Sequence, residues 1–270
     1  MANYRIYSRT EKSKSESHSK NEDCFFCCEY SFLNDEKIKV IEIADGMGGL
    51  TNGEKASSDV IYSFNRAFQD ALFQEYWTHI GEEFSITYHA ELLKEIVCEA
   101  IQKANAYVCE EADRYVDTGT TISVVVISNG YAIVANVGDS PVYFYRAETD
   151  DLTLVSTLHT RAEQDVACGM YRRYSERYFE NDHRIYRCIG RTSELPKEEI
   201  SINIIEKLRD GDMFLAGSDG AFGRLKEEEI TEIITKDKKS MVLKELFLKG
   251  RAQKNDDQTA ILYQICEEVL

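Results

Sequence analysis

Apolar positions along this chain keep two different periods, and each predicts its own kind of element. Leu92, Leu93, Ile96, Val97, Ala100, Ile101, Ala104 and Val108 recur at three and four, the spacing that lines one face of a helix, here over 92–115. A second apolar stripe predicts a helix over 56–73. Short apolar runs rich in β-branched and aromatic residues predict strands over Cys24 to Tyr30, Ile38 to Ala44, Thr120 to Ile127, Tyr131 to Val137 and Val142 to Arg146. Three more strands are predicted over Ile200 to Ile205, Met213 to Ala216 and Gln258 to Cys266. Asn129-Gly130 sits between two of these runs and favours a tight hairpin, because both residues tolerate positive φ. Helices are expected over Lys226 to Thr235 and Lys239 to Arg251, with a short one over Thr160 to Arg173. Lys12 to Lys20 reads as a polar loop. Strands in consecutive groups and helices in pairs indicate an α+β protein with antiparallel sheets, not an alternating parallel βαβ fold.

Composition narrows the class. The chain has 270 residues, 43% hydrophobic, with two prolines and no linker-like stretch, so a single domain over 1–270 is expected. Its formal charge of −16 repels nucleic acid and anionic lipid, so no nucleic-acid or membrane partner is expected. No apolar run approaches the ~18 residues of a membrane span, and the first residues carry no apolar leader. Eight cysteines without such a leader fit free thiols in a reducing compartment, and the expected location is cytoplasmic. Cys24-x-x-Cys27 has ligand spacing but no second pair, and it falls on a predicted strand. Buried structural thiols are the expectation there.

Acidic residues carry the candidate chemistry. Asp45 opens Asp45-Gly46-Met47-Gly48-Gly49, and Asp139 lies in Asn136-Val137-Gly138-Asp139-Ser140. Asp219 lies in Ser218-Asp219-Gly220, and Asp256 in Asp256-Asp257-Gln258-Thr259. Glu22 and Asp23 form a further acidic pair after Asn21. Each stands where an apolar strand ends, beside glycine or a polar turn residue. Asp-Gly alone is an ordinary turn signal. Several carboxylates sharing one site, however, raise each other's pKa unless a cation compensates them, and oxygen-only donors select hard ions such as Mg²⁺ or Mn²⁺.

The ordered set resembles the protein phosphatase type 2C family, the metal-dependent PPM class, in its bacterial form. The resemblance rests on Asn21-Glu22-Asp23, Asp45-Gly46-Met47-Gly48-Gly49 with Gly53-Glu54-x-Ala56-Ser57, Thr118-Gly119-Thr120-Thr121, Asn136 to Ser140, Ser218 to Gly220, and Asp256 to Thr259. It implies a four-layer α-β-β-α sandwich with a dinuclear metal site at one end. It further implies that Asp45 bridges two Mg²⁺ or Mn²⁺ ions, that the Gly46 carbonyl faces the first, and that Asp219 and Asp256 hold the second. Glu22 and Asp23 would act through metal-bound waters, and Asp139 with Asp219 would serve a weaker third ion. The implied activity is hydrolysis of phosphoserine and phosphothreonine by a metal-activated water, on proteins phosphorylated by a serine/threonine kinase.

Some positions depart from the family pattern. His18 stands where the family usually places an arginine that grips phosphate, and Lys20 is the nearest alternative positive charge. Leu50, Pro141 and Leu158 also replace residues common in bacterial members, and Thr160 to Tyr186 corresponds to the mobile flap. Arg161, Arg172, Arg173, Arg177 and Arg184 in that segment either attract phosphorylated substrate or balance nearby acids. No cysteine is followed six positions later by arginine, which excludes a cysteine phosphatase, and Glu54 occupies the place of a P-loop lysine. The alternative is a catalytically impaired phosphatase fold that binds phosphoproteins as a regulatory module.

Overall fold

The computed structural model describes residues 3–15, 20–32, 36–47, 52–79, 85–112 and 118–266. Its first half runs β1 (Asn3–Glu11), β2 (Asp23–Ser31), β3 (Lys37–Met47), α1 (Gly53–Thr78), α2 (Ala90–Ala112), β4 (Gly119–Thr120), β5 (Ile122–Ser128), β6 (Tyr131–Val137), β7 (Val142–Arg146) and β8 (Asp151–Leu154). It continues with α3 (Arg161–Ala167), α4 (Glu176–Phe179), β9 (Ser201–Ile205), β10 (Met213–Gly217), α5 (Asp219–Phe222), α6 (Glu227–Ile234), α7 (Lys239–Arg251) and β11 (Gln258–Cys266). Helix α7 and strand β11 have the expected bounds, and Asn129 (φ 28°) and Gly130 (φ 80°) make the β5–β6 turn. The short helix expected over Thr160 to Arg173 ends early, as α3, where the chain turns at Gly169 (φ 73°), and α4 forms separately beyond Tyr174 (φ 63°).

Two sheets form, one ordered β1-β11-β10-β7-β8 and the other β2-β3-β5-β6-β9, with β4 paired to β3. Every pairing among the described strands is antiparallel. Side-chain alternation then decides the layers. On β3, Ile38, Val40 and Ala44 pack with Val60, Phe64 and Phe68 of α1 and Leu93, Val97 and Ile101 of α2. Ile41 and Ile43 point the other way, against Phe144, Phe214 and Ile261 of the second sheet. That sheet's outer face is covered by Ile230, Ile233, Leu246 and Phe247 of α6 and α7. The order is therefore helices, sheet, sheet, helices.

Cys24 and Cys28 face the helix-side core while Cys27 faces the inter-sheet core, so Cys24 and Cys27 point to opposite faces and cannot share a ligand. Glu42 is the exception on the helix side. It is fully buried, one oxygen accepts from Asn65 Nδ2 at 2.8 Å, and the other has no partner among the described residues. Burial pushes its pKa well above the ordinary carboxylate value, which favours the neutral acid.

Candidate metal centre

The register of β2 and β3 sets Asp23 opposite Asp45 at one end of the sandwich. Just beyond, the Gly46 N–H donates to the Glu22 carbonyl at 3.1 Å. Glycine is required at 46, because a Cβ there would lie 2.1 Å from the Gly53 carbonyl oxygen and 2.7 Å from that of Glu22. Gly53 makes room in turn: a Cβ would meet the Glu22 carboxyl group at 2.7–3.0 Å. The Glu22 side chain thus rests at the N-terminus of α1, where the helix dipole favours a negative charge.

The Thr120-Thr121 pair clamps the Asp45 backbone. Thr121 Oγ1 accepts from the Asp45 N–H at 2.9 Å, and the Asp45 carbonyl accepts from the Thr121 N–H at 2.9 Å and Thr120 Oγ1 at 3.0 Å. Thr121 Oγ1 also meets Ser140 Oγ at 2.6 Å, tying Asp45 to the turn that carries Asp139. His159 braces that turn: its Nδ1 accepts from the Gly138 N–H at 3.0 Å, and its backbone N–H donates to the Gly138 carbonyl at 2.9 Å. Burial and the nearby Arg187 guanidinium push the His159 pKa down to about 4, so the ring is neutral and its lone pair stays available.

Strands β10 and β11 deliver the remaining acids. Ser218 Oγ donates to Asp23 Oδ2 at 2.7 Å and accepts from the Thr259 N–H at 3.0 Å. Asp257 latches the first acidic segment to the last. Its Oδ1 accepts from the Ser13 N–H at 2.6 Å and its Oδ2 from the Glu22 N–H at 2.7 Å. Gly220 allows the close approach, since a Cβ would lie 2.0 Å from the Asp257 carbonyl oxygen.

Electrostatics show that the acids converge. Burial raises the Asp45 pKa well above its ordinary value, and Asp23, Asp219, Asp139 and Asp256 all push it further up. Asp139 is raised well above its ordinary value by burial and by Asp219, against the lowering effect of Lys254. Asp23 is pushed up to about 7 by burial, with Asp257 and Asp219 adding to it, although Ser218 and Thr259 hydroxyls favour its ionised form. Its Oδ1 is buried without a hydrogen-bond partner among the described residues. Oxygen donors that repel each other, one of them orphaned, fit a hard divalent cation. Among the described residues, no three His, Cys, Asp or Glu side chains are already arranged as a cage.

Of the residues expected at the site, Asp23 lies opposite Asp45, Lys254 pairs with both Asp219 and Asp256, and Asp139 and Asp219 line one cleft, with Glu22 next to Gly46. Lys20 does not join them; its ammonium is paired with Glu54 in the first turn of α1. His18, Gly48, Gly49 and Leu50 lie outside the described residues. Three participants were not singled out from sequence: Asp257, Lys254 and Asp182. Lys254 forms ion pairs with Asp219 and, at 3.2 Å, with Asp256. Asp182 belongs to the segment after α4, and it lines a small cleft of about 70 Å³ together with Asp139, Asp219 and Lys254. Tyr174 and Tyr178 form the aromatic wall of that cleft. Arg173, expected as one of several candidates to attract substrate, is bound to Glu163 at 2.6 Å and lies 3.7 Å from Glu227. Arg161 pairs with Asp165 at 3.0 Å. These two arginines balance nearby acids.

Comparison with known proteins bears on the family and the fold. The family described as protein phosphatase 2C matches residues 12–254. Protein phosphatase PhpP of Streptococcus pneumoniae is 24% identical over 212 residues, covering 76% of each chain. The solved serine/threonine phosphatase PstP/Ppp of Mycobacterium tuberculosis superposes with a TM-score of 0.76 at 21% identity, covering 99% of this chain and 100% of that one. The catalytic domain of PstP in complex with two manganese ions gives 0.72 at 21% identity, again covering 99% and 100%. The fold is shared with these structures. This chain belongs to the protein phosphatase 2C family.

Proposed function

We propose that this protein is a serine/threonine protein phosphatase that uses Mg²⁺ or Mn²⁺ to hydrolyse phosphoserine and phosphothreonine on substrates made by a serine/threonine kinase. The observation that carries the reading is the placement of the acids at one end of the sandwich: Asp23 lies opposite Asp45, Lys254 pairs with both Asp219 and Asp256, and Asp139 and Asp219 line one cleft. Asp45 and the Gly46 carbonyl would hold one ion, and Asp45, Asp219 and Asp256 the other. Glu22 and Asp23 would act through bound waters, and Asp139 with Asp219 would serve a weaker third ion. Such a pair of cations supplies an activated water and neutralises charge on the phosphoryl oxygens.

The chain's own residues do the positioning. Thr120, Thr121 and Ser140 fix the Asp45 backbone and the Asp139 turn, and Asp257 fixes Glu22. The wall carrying Tyr174 and Tyr178 stands over the cleft beside Asp139 and Asp219, where a substrate side chain would enter. Lys20 is engaged with Glu54 at the rim, so phosphate contact by Lys20 requires it to leave that partner. Free cysteines throughout the described residues support a cytoplasmic location, and no described helix is long and apolar enough to cross a membrane.

A Mn²⁺-dependent assay on p-nitrophenyl phosphate and on phosphoserine, phosphothreonine and phosphotyrosine peptides tests the reading. Turnover that requires metal and disappears in Asp219→Ala and Asp45→Ala supports it. A folded native chain with no metal-stimulated turnover on any of them would point instead to a phosphoprotein-binding module.

A further inference from the structure

Lys254 lies in the loop between α7 and β11, two residues before Asp256, and its ammonium reaches back into the carboxylate cluster. It is hydrogen-bonded to Asp219 Oδ2 and lies 3.2 Å from Asp256 Oδ2. Asp45, Asp139 and Asp182 also feel its charge. An ammonium and a divalent ion compete for the same two oxygens, Asp219 Oδ2 and Asp256 Oδ2, and two positive charges crowded onto them repel each other.

We propose that Lys254 is a built-in counter-cation. It holds Asp219 and Asp256 in the metal-free protein, and a divalent ion binds on that side of the centre only by displacing it. The inference rests on the assignment of Asp219 and Asp256 as metal ligands. Two consequences follow. The metal-free cluster repels itself less, because one positive charge sits among the acids. Metal binding on that side is weakened, because two ion pairs must first be broken. Lysine suits the role: its charge is compact and its four-carbon stem is flexible. The side chain is 33% exposed, and the cleft bounded by Asp139 and Asp182 gives the displaced ammonium an acidic place to go.

The test uses the full chain, stripped of metal and titrated calorimetrically with MnCl₂ at fixed pH. Lys254→Met keeps the stem and removes the charge; Lys254→Arg keeps the charge. At least a tenfold tightening of the weaker Mn²⁺ step in K254M, native-like binding in K254R, and a lower metal-free melting temperature in K254M are expected. Equal or weaker Mn²⁺ binding in K254M overturns the proposal. A measurement on the native chain needs no variant: acetylation of Lys254, read by mass spectrometry, rises on Mn²⁺ saturation if the ammonium is displaced. Unchanged or reduced labelling also overturns it. Absence of any Mn²⁺ binding by both native protein and K254M would remove the metal-ligand assignment itself, and this proposal with it.

Discussion

Asp23 and Asp45 face each other across the last paired rung of β2 and β3, and Ser218, just past β10 of the other sheet, donates to Asp23 at 2.7 Å. One short contact therefore joins both sheets at the site. Three acids are pushed upward, first by burial and then by neighbouring carboxylates: Asp45 by Asp23, Asp219, Asp139 and Asp256, Asp23 by Asp257 and Asp219, and Asp139 by Asp219 and Asp182, so the metal-free protein holds them at a cost to its own stability.

Replacing Asp45 separates activity from stability. Asp45→Asn is expected to lose roughly 10²–10⁴ in metal-stimulated turnover, equivalent to about 3–5 kcal/mol of transition-state stabilisation. In chelator, the same variant is expected to melt above the native chain, because it removes a mutually repelling charge. Kinetics and thermal melts with and without EDTA check both. A D45N protein that melts below native in EDTA would contradict the repulsion argument.

Gly46 has no room for a side chain. Gly46→Ala forces a Cβ to 2.1 Å from the Gly53 carbonyl oxygen, so the β3 end and the α1 start must separate. A loss of about 1–3 kcal/mol is expected from such overpacking, with a larger fall in turnover than in stability. Urea denaturation beside a Mn²⁺-dependent rate measurement would show it.

His159 predicts an acid-sensitive limb. Its folded pKa, about 4, lies below the ordinary 6.5. As pH falls from about 6.5 to about 4, the unfolded chain binds a proton that the folded chain refuses, and stability drops by up to about 1.4 kcal/mol per pH unit. His159→Gln removes that contribution. Denaturation curves between pH 4.5 and 7 are expected to be flatter for the variant, after checking that both unfold in one step.

Glu42 predicts the opposite sign. Its folded pKa is raised well above 4.5, so the folded chain keeps a proton that the unfolded chain releases. The stabilising contribution is full below the unfolded pKa and is lost as pH rises toward the folded value. Glu42→Gln, which keeps the shape and an acceptor for Asn65, is expected to gain on the native protein as pH increases from 5 to 8, by up to about 1.4 kcal/mol per unit. Equal stability differences at both ends would rule this out.

Asp257 is the latch between the chain's ends. Asp257→Ala leaves the Ser13 and Glu22 N–H groups without their acceptors, at about 1–3 kcal/mol for each unsatisfied donor. Faster hydrogen exchange at those two amides, together with a lower melting temperature, is the expected signature.

Local pattern determined much of this protein. The three-and-four spacing of α2 and the apolar runs of β5, β6 and β11 are properties of neighbouring residues, and a covalent chain displays them directly. The acid-glycine motifs were legible for the same reason, since turn chemistry is local. Strand β1 was not foreseen: Tyr4 and Ile6 alternate with polar residues and remain exposed, and pairing with β11 along all nine rungs makes the strand. Strand β8, four residues long, likewise depends on β7. Only the tertiary structure decided that Lys254 sits among the aspartates, that Asp257 secures Glu22 from 235 positions away, and that Lys20 turns to Glu54. The physical reason is that charges and hydrogen bonds act through space. Neither periodicity nor spacing carries the distance between residues that meet only when two sheets close on each other.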